Sequence, residues 1–555
     1  MLPALRGHEQ LETRALALPI LAQPPEAASS SELPNLWEPH ASLFDPGSSP
    51  PLTTGHPPHP LQVEPNGSQP LLPTLHRVRM GHDASSTEAS ASTRSDRSCD
   101  SECASANAHD TELPVLPARV AGILSHGSWL LSRARQVGIF TKVEQALRGG
   151  EIRAGSLCSG GLDTFGMCVQ SFLSAVREES PGVHPEICHE VVCEIDERKL
   201  QQLLRAFPAV RHAYSNVCDL GQGKAWDRVT QSNCDCSPNF VVVGFPCTDL
   251  SYLNKKKPRF KRCRSVQSGS AFFGAVDCVG RWRPDVVVLE NLRSLLHFRP
   301  VDDARPIDTI DEVFRQRGYI GGHRLLNTYE FGLPQRRWRT WLIYFLAGRG
   351  DAEVAWKSVQ LLRSSAIPLR ECLVNAWSPQ FDKPRKHRRD QRDGWKGKHA
   401  AFIQRHEQHG LTRDALAWVR GRLHEAPMFA SLSAREQSLL TIQYAYMEQC
   451  QGMDLQAQMV IIQFDQELGR CPIAVGKVPC VCPRGSYWVT SGLLGAPRCL
   501  GATELAVMQG VGHEEANAFG LHDLPHNRLQ DFVGNAFSGT VCMSVFVAAL
   551  SAWRR

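Results

Sequence analysis

The chain has 555 residues, a net charge of +5 and 19 cysteines. The length exceeds one ordinary domain, and the mild charge permits a nucleic-acid partner without demanding one. The cysteines are too sparse for a disulfide scaffold, and no run approaches the ~18 uninterrupted apolar residues of a membrane span. The opening stretch lacks an apolar core behind a basic cap, so a soluble intracellular protein with reduced thiols is expected.

Residues 1–115 are rich in Pro, Ser and Ala, and 17 of the 36 prolines precede Val120. Such a segment buries too little apolar surface to offset its ordering entropy, so a disordered tail is expected. From about Leu116 the texture changes. "VAGILSHGSWLLSRARQVGIFTKVEQALRG" has helical apolar spacing and stops at Gly149 and Gly150. Short apolar runs then alternate with amphipathic stretches: "EICHEVVCEID", "PNFVVVGFP", "PDVVVLEN" and "RTWLIYFLAG". Runs that are apolar on both faces, separated by helices, predict an α/β doubly wound, Rossmann-like fold, its mostly parallel sheet covered by helices on both faces.

After Gly350 the chain is more polar and carries "DKPRKHRRDQRDGWKGKH", Asp382 to His399. It also holds a predicted helix, "SLSAREQSLLTIQYAYME", with Ser431 as its cap. "GATELAVMQG" and "FSGTVCMSVFVAALSAW" then read as helices returning to the first domain. The expected organisation is a tail over 1–115, a first catalytic part over 116–349, an inserted region over 350–497 and a return over 498–555.

Three strand ends carry the chemistry. Cys247 follows Val243 and Pro246, at the carboxyl rim where open α/β sheets bind ligands. Glu290 and Asn291 close a second strand; an acid there, in an apolar pocket, is held protonated and able to donate. Gln335, Arg336, Arg337 and Arg339 lie on a third element, where Arg337 and Arg339 alternate with Trp338 and share a face suited to an anionic or carbonyl-bearing ligand.

Together "GFPCTDLS", "LENLRSL", "GLPQRRWRTWLI", "RCLGATELAVMQGVG" and "VGNAFSGTV" resemble, in this order, the motifs of the cytosine-5 DNA methyltransferase family. The resemblance covers about Ile152 to Leu346 and about Arg498 to Trp553. It implies Cys247 as nucleophile toward carbon 6 of a flipped-out cytosine, and Glu290 as the group meeting the ring nitrogen N3. Arg339 would hold the cytosine carbonyl and orient Glu290, Arg337 would support the loop containing the cysteine, and Asn291 would brace the backbone. S-adenosylmethionine is the implied cofactor, met by Ser159, Gly160 and Gly161 in "AGSLCSGGLDTFGMC", by Glu194 at the ribose, and by Asn216, Pro246, Asn535 and Ala536. In the glycine turn Cys158 replaces the family's usual Phe and one residue is missing. That departure predicts weaker cofactor binding than is usual in the family.

Double-stranded DNA is the implied partner, contacted by Ser251, Lys255, Lys256 and Lys257 on a basic loop and by Arg385 and Lys386 in the inserted region. The basic "KPRKHRR" suggests a nuclear location. The pairs "NCDCS" and "PCVCP" are Cys-x-Cys without a second half at zinc-site spacing, so they read as structural or incidental and no metal is expected. Two alternatives stay open: the same chemistry on transfer RNA, although the Cys-Phe-Thr tripeptide typical of that branch is absent, and a catalytically silent DNA- or cofactor-binding regulator.

Overall fold

A computed structural model describes residues 113–114, 122–250, 267–297, 305–373, 394–490 and 496–555. The expected disordered tail lies outside these residues up to position 112. Leu113 and Pro114, which the sequence assigns to the tail, are held by Ser365: its hydroxyl donates to Leu113 O (3.0 Å) and its N–H to Pro114 O (2.9 Å). The helix predicted up to Gly149 is two, Ile123–Gln136 and Phe140–Arg148. Gly138 between them has φ 75°, a left-handed turn that glycine makes without penalty.

The first described strands are β1 (Ile152–Leu157), β2 (Ile187–Cys193), β3 (His212–Tyr214), β4 (Phe240–Val243), β5 (Val286–Leu292) and β6 (Tyr319–Asn327). The two-residue β7 (Gln335–Arg336) and β8 (Trp338–Leu346) follow. Seven of these form one sheet in the order β3-β2-β1-β4-β5-β8-β6. The pairs among β1 to β5 are parallel, and β8 runs antiparallel between β5 and β6. The order reverses between β1 and β4, which opens a crevice outside their carboxyl ends.

Alternation explains why β4 reads as an unbroken apolar run. Phe240 and Val242 enter one core with helices Thr164–Glu179 and Gly539–Ala552, while Val241 and Val243 enter another with helices Gln267–Trp282 and Pro306–Gln316. Helix Gly539–Ala552 is buried at every residue, as an all-round apolar helix must be. By length and hydropathy His526–Ala552 would also suit a membrane span, but 94% of its apolar window is buried in protein.

Packing changes later than composition does. Helix Ala352–Leu361, beyond Gly350, packs Ala355, Trp356 and Val359 into the same core as Trp341 of β8. A separate core forms from helices Arg413–His424 and Ala434–Ala445 with β9 (Val460–Gln463) and its neighbours. The cap of Ala434–Ala445 is Ser433, not Ser431, because Ser433 makes a reciprocal capping box with Glu436 three residues on. The remaining strands are β10 (Ile473–Val475), β11 (Val478–Pro479), β12 (Tyr487–Val489) and β13 (Arg498–Cys499). β13 pairs with β12, so Arg498 and Cys499, assigned by sequence to the return, complete the sheet of the inserted region. β11 pairs with β7, placing Val478 against Gln335 and Pro479 against Arg336.

Candidate active site

Cys247 follows β4 in a turn fastened from β5: Asn291 Nδ2 donates to Phe245 O (3.0 Å). Leu250 N donates back to Cys247 O (3.1 Å) and starts the short 3₁₀ turn Thr248–Leu250. Burial pushes the Cys247 thiol up from its ordinary value; Arg339 and Arg337 oppose that rise and Glu290 adds to it. The resting thiol is therefore protonated near neutral pH.

Glu290 lies opposite Trp341 across the β5–β8 ladder. Arg339 is two residues from Trp341 on the same strand, so it is the diagonal same-face neighbour of Glu290. Arg339 Nε stands 3.1 Å from Glu290 Oε1, close in charge but not aligned as a hydrogen bond. Among the described residues Oε1 thus has no hydrogen-bond partner, on a buried residue only 8% exposed. Burial raises the Glu290 pKa by more than Arg339 and Arg337 lower it. The carboxyl is tuned to hold a proton and has an oxygen ready for a ligand.

Arg339 also donates to Trp338 O (2.9 Å) and to Cys480 Sγ (3.4 Å). Burial works against its charge, but Cys480, Glu290 and Cys247 keep it firmly protonated. Cys480 is a member of this site that sequence reasoning set aside as incidental. Its thiol is held well below the ordinary value, chiefly by a hydrogen bond from Cys482 and further by Arg339 and Arg337. Its only sequence signal was the Cys-x-Cys spelling, which says nothing about two guanidiniums.

Arg337 corrects an expectation. It does not hydrogen-bond to the Cys247 turn; Nη1 donates to Val481 O (2.9 Å) and Nη2 to Ala536 O (2.8 Å). It is 4% exposed and ties the segment after β11 to the closing Gly-Asn motif. Gln335 does the same nearby, accepting from Val481 N (3.2 Å) and donating to Gln509 Oε1 (3.2 Å). Arg336 is exposed. Arg498 and Glu504 form a buried two-point ion pair (2.7 and 2.8 Å) that shapes the approach to "MQG".

At the other side of the crevice, Glu194 follows β2 with both oxygens occupied by backbone. Gly160 N donates to Oε2 (2.9 Å) and Asp196 N to Oε1 (3.0 Å). Burial raises its pKa while these N–H groups and Lys199 lower it. Ser159 N donates to Cys193 O (3.1 Å), and Ser159 Oγ to Ser156 O (2.9 Å). Gly160 has φ 67°, and a Cβ there would meet only Asn535 O, at 4.0 Å. Gly161 was expected to admit a cofactor, but a Cβ there would meet the Phe532 ring at 2.5 Å; its bareness serves internal packing. Likewise a Cβ on Gly244 would meet Phe537 at 2.7 Å. The shortened turn is rebuilt with non-glycine residues at positive φ, Cys158 at 55° and Asp163 at 39°.

Asn216 is not free for an adenine: Oδ1 caps helix Val217–Gly221 through Cys218 N (2.9 Å), and Nδ2 donates to Asp219 (2.8 Å). Pro246 is half-buried, Ala536 buried, and Asn535 exposed with its amide turned to Asp531. Ile195 was missed by sequence reasoning; it is apolar, 71% exposed and adjacent to Glu194. An apolar face beside a buried acid, with a glycine near it, fits an adenosine-bearing cofactor. Ser251, Lys255, Lys256, Lys257, Arg385 and Lys386 lie outside the described residues.

The profile of the family described as C-5 cytosine-specific DNA methylase matches residues 219–450, a span that includes Cys247, Glu290 and Arg339. The match places the cysteine, the acid and the arginine of the site inside one segment that is similar to this family. The DNA (cytosine-5-)-methyltransferase DMT5 of Cryptococcus neoformans is 24% identical over 430 residues, covering 73% of this chain and 17% of its own length. Type II methyltransferase M.BanI of Aneurinibacillus aneurinilyticus is 32% identical over 111 residues, covering 20% of this chain and 24% of its own. The chain thus spans less than a quarter of either relative. Among solved structures, Entamoeba histolytica methyltransferase EhMeth aligns over 72% of this chain and 98% of its own at 10% identity, with a TM-score of 0.37. The fold assignment of this chain rests on its own strand order.

Proposed function

We propose that the chain transfers a methyl group from S-adenosylmethionine to carbon 5 of cytosine in DNA, through a covalent adduct on Cys247. One observation carries the reading: a thiol, a buried carboxyl with an oxygen unpartnered among the described residues, and a guanidinium converge on one rim at Cys247, Glu290 and Arg339. The Cys247 thiol passes its proton to solvent, and the thiolate sulfur bonds carbon 6 of the base. Glu290, whose hold on a proton is strengthened by burial, donates to the ring nitrogen N3, so the electron pair displaced from the 5,6 double bond is stabilised in the ring. Arg339 keeps Glu290 in place and offers its remaining N–H groups to the cytosine carbonyl. After methylation, loss of the carbon-5 proton restores the double bond and expels the sulfur.

S-adenosylmethionine, when bound, supplies the methyl group as an electrophile. Glu194 would hold its ribose hydroxyls with the lone pairs its backbone partners leave, and Ile195 and Pro246 would flank the adenine. A stacked duplex hides carbon 5, so the base must leave the stack at a cost of a few kcal/mol. Contacts of Ser251 and Lys255 to Lys257 with the backbone would offset it, and Arg385 and Lys386 would contribute to site choice. A nuclear location follows from a DNA substrate and the "KPRKHRR" run.

The test is labelled methyl transfer to duplex DNA and to transfer RNA in parallel, with calorimetry of S-adenosylhomocysteine binding. Label in DNA, and trapping of the protein by 5-fluorocytosine, supports the reading. Label in transfer RNA alone moves the substrate, and absence of both transfer and binding indicates a silent regulator.

A further inference from the structure

Cys234 of "NCDCS" has no partner at zinc-site spacing in the sequence, but the fold brings two. His212 opens β3, which is at the edge of the sheet, and Asp227 belongs to the loop leading to β4. His212 Nδ1 and Asp227 Oδ2 are 2.8 Å apart, Cys234 Sγ and Asp227 Oδ2 3.1 Å, and Cys234 Sγ and His212 Nδ1 3.3 Å. Asp227 is fully buried, and its other oxygen is fixed by Ala213 N and Val229 N (2.9 Å each). Oδ2 is therefore aimed at the imidazole and the thiol, with Thr230 Oγ1 at 2.7 Å beside it.

This is not the wiring of a nucleophilic triad. There the acid and the nucleophile engage opposite ring nitrogens. Here the thiol donates to Asp227 Oδ2, and both crowd the same ring nitrogen, Nδ1, so the three donor atoms face one another around a single point. A small cation at the centre satisfies all three donors at once. Ligands on a tetrahedral ion with bonds of about 2.0–2.3 Å are separated by roughly 3.3–3.7 Å, a few tenths of an ångström beyond the distances seen.

We propose that His212, Asp227 and Cys234 form a structural zinc site that clamps the loop between helix Val217–Gly221 and β4 to the edge strand β3. One thiolate, one imidazole and one carboxylate make a donor set suited to zinc, and water completes the tetrahedron beside the Thr230 hydroxyl. Binding forms the sulfur–zinc bond and releases the thiol proton to solvent, so affinity rises with pH. The N–H groups on Oδ1 act as the outer partners that orient metal ligands. The clamp gives order to a loop that has only one isolated bridge, Asp227 to Ser232, of its own.

The test uses the full chain, purified without chelator, with bound metal counted and zinc then replaced by cobalt(II). The expected result is one zinc per chain and an intense thiolate-to-cobalt absorption band. Cys234→Ser should lose the band, Asp227→Asn should weaken zinc binding at least ~10-fold, and Cys236→Ala, altering a buried cysteine two residues away, should keep both metal and band. A chelator should lower Tm of the wild type and leave Cys234→Ser unmoved. If Cys234→Ser does not fold, the cobalt spectrum and chelator response of the wild type decide. Zinc below ~0.1 per chain after incubation and gel filtration, with no thiolate band, overturns the proposal and leaves a hydrogen-bonded hub around Asp227.

Discussion

At the ends of β4, β5 and β8 charged groups crowd together and stay partly unmatched, whereas at the ends of β1 and β2 the protein matches its own polar groups. Among the described residues Glu290 Oε1 is buried without a hydrogen bond, while both oxygens of Glu194 hold backbone N–H groups. Arg339 is shared among Glu290, Cys480 and Cys247, while the Phe532 ring fills the space beside Gly161. The difference separates two tasks. On the proposed function, the rim that changes a base's electronics keeps its strong groups under-solvated, and the rim that holds a cofactor's hydroxyls and flat ring is preorganised by its own backbone.

The comparison breaks most directly at the nucleophile. Cys247→Ala should reduce methyl transfer to background while S-adenosylhomocysteine binding, measured by calorimetry, stays within twofold. Full turnover in that variant removes the thiol from the mechanism.

Arg339→Ala should lower turnover by roughly 10²–10³, the usual loss for one preorganised donor. It should also move the pH profile of Cys247 alkylation upward, because the guanidinium opposes the rise in the thiol's pKa. An unshifted alkylation profile would separate Arg339 from the thiol.

At the other rim, Glu194→Ala should weaken S-adenosylhomocysteine binding by about 1–3 kcal/mol with little effect on turnover at saturating cofactor. If turnover at saturation falls as steeply as in Arg339→Ala, the two rims do not divide the work in this way.

Cys480→Ser tests how far the charged rim extends. Loss of a thiolate partner should cost about 1 kcal/mol, roughly fivefold in turnover, with Cys482→Ser milder. Equal activity in both variants and the wild type would make the pair structural.

The smallest effect is on stability. Folded Glu290 holds its proton to higher pH than unfolded Glu290, with burial the main cause. The stability it contributes is complete below the ordinary carboxylate range and is lost as pH rises through the raised value. Glu290→Gln should therefore raise Tm slightly at pH 7, with the gap closing toward pH 4.5. A less stable variant at pH 7 would mean that pairing with Arg339 outweighs burial.

The short apolar runs that became β2, β4, β5 and β8 were legible in the sequence because a strand buried on both faces must be apolar throughout, and that demand is local. Cys247, Glu290, Asn291 and Arg339 were legible for a related reason: each lies within a few residues of a strand end, so finding the strand finds the rim. Helix limits were less secure, since Gly138 and the Ser433 capping box act through backbone angles and side-chain bonds that spacing does not reveal. Only the tertiary structure decided what meets the rim from afar. Cys480 reaches Arg339 across 141 positions, Arg337 reaches Ala536 across 199, and Phe532 fills the glycine turn from the far end of the chain. His212, Asp227 and Cys234 converge because an edge strand and an irregular loop pass one another. The sequence records such residues as ordinary cysteines, aromatics and acids; a contact closed over so many positions depends on the packing of the whole sheet and leaves no periodic trace beside the residues that make it.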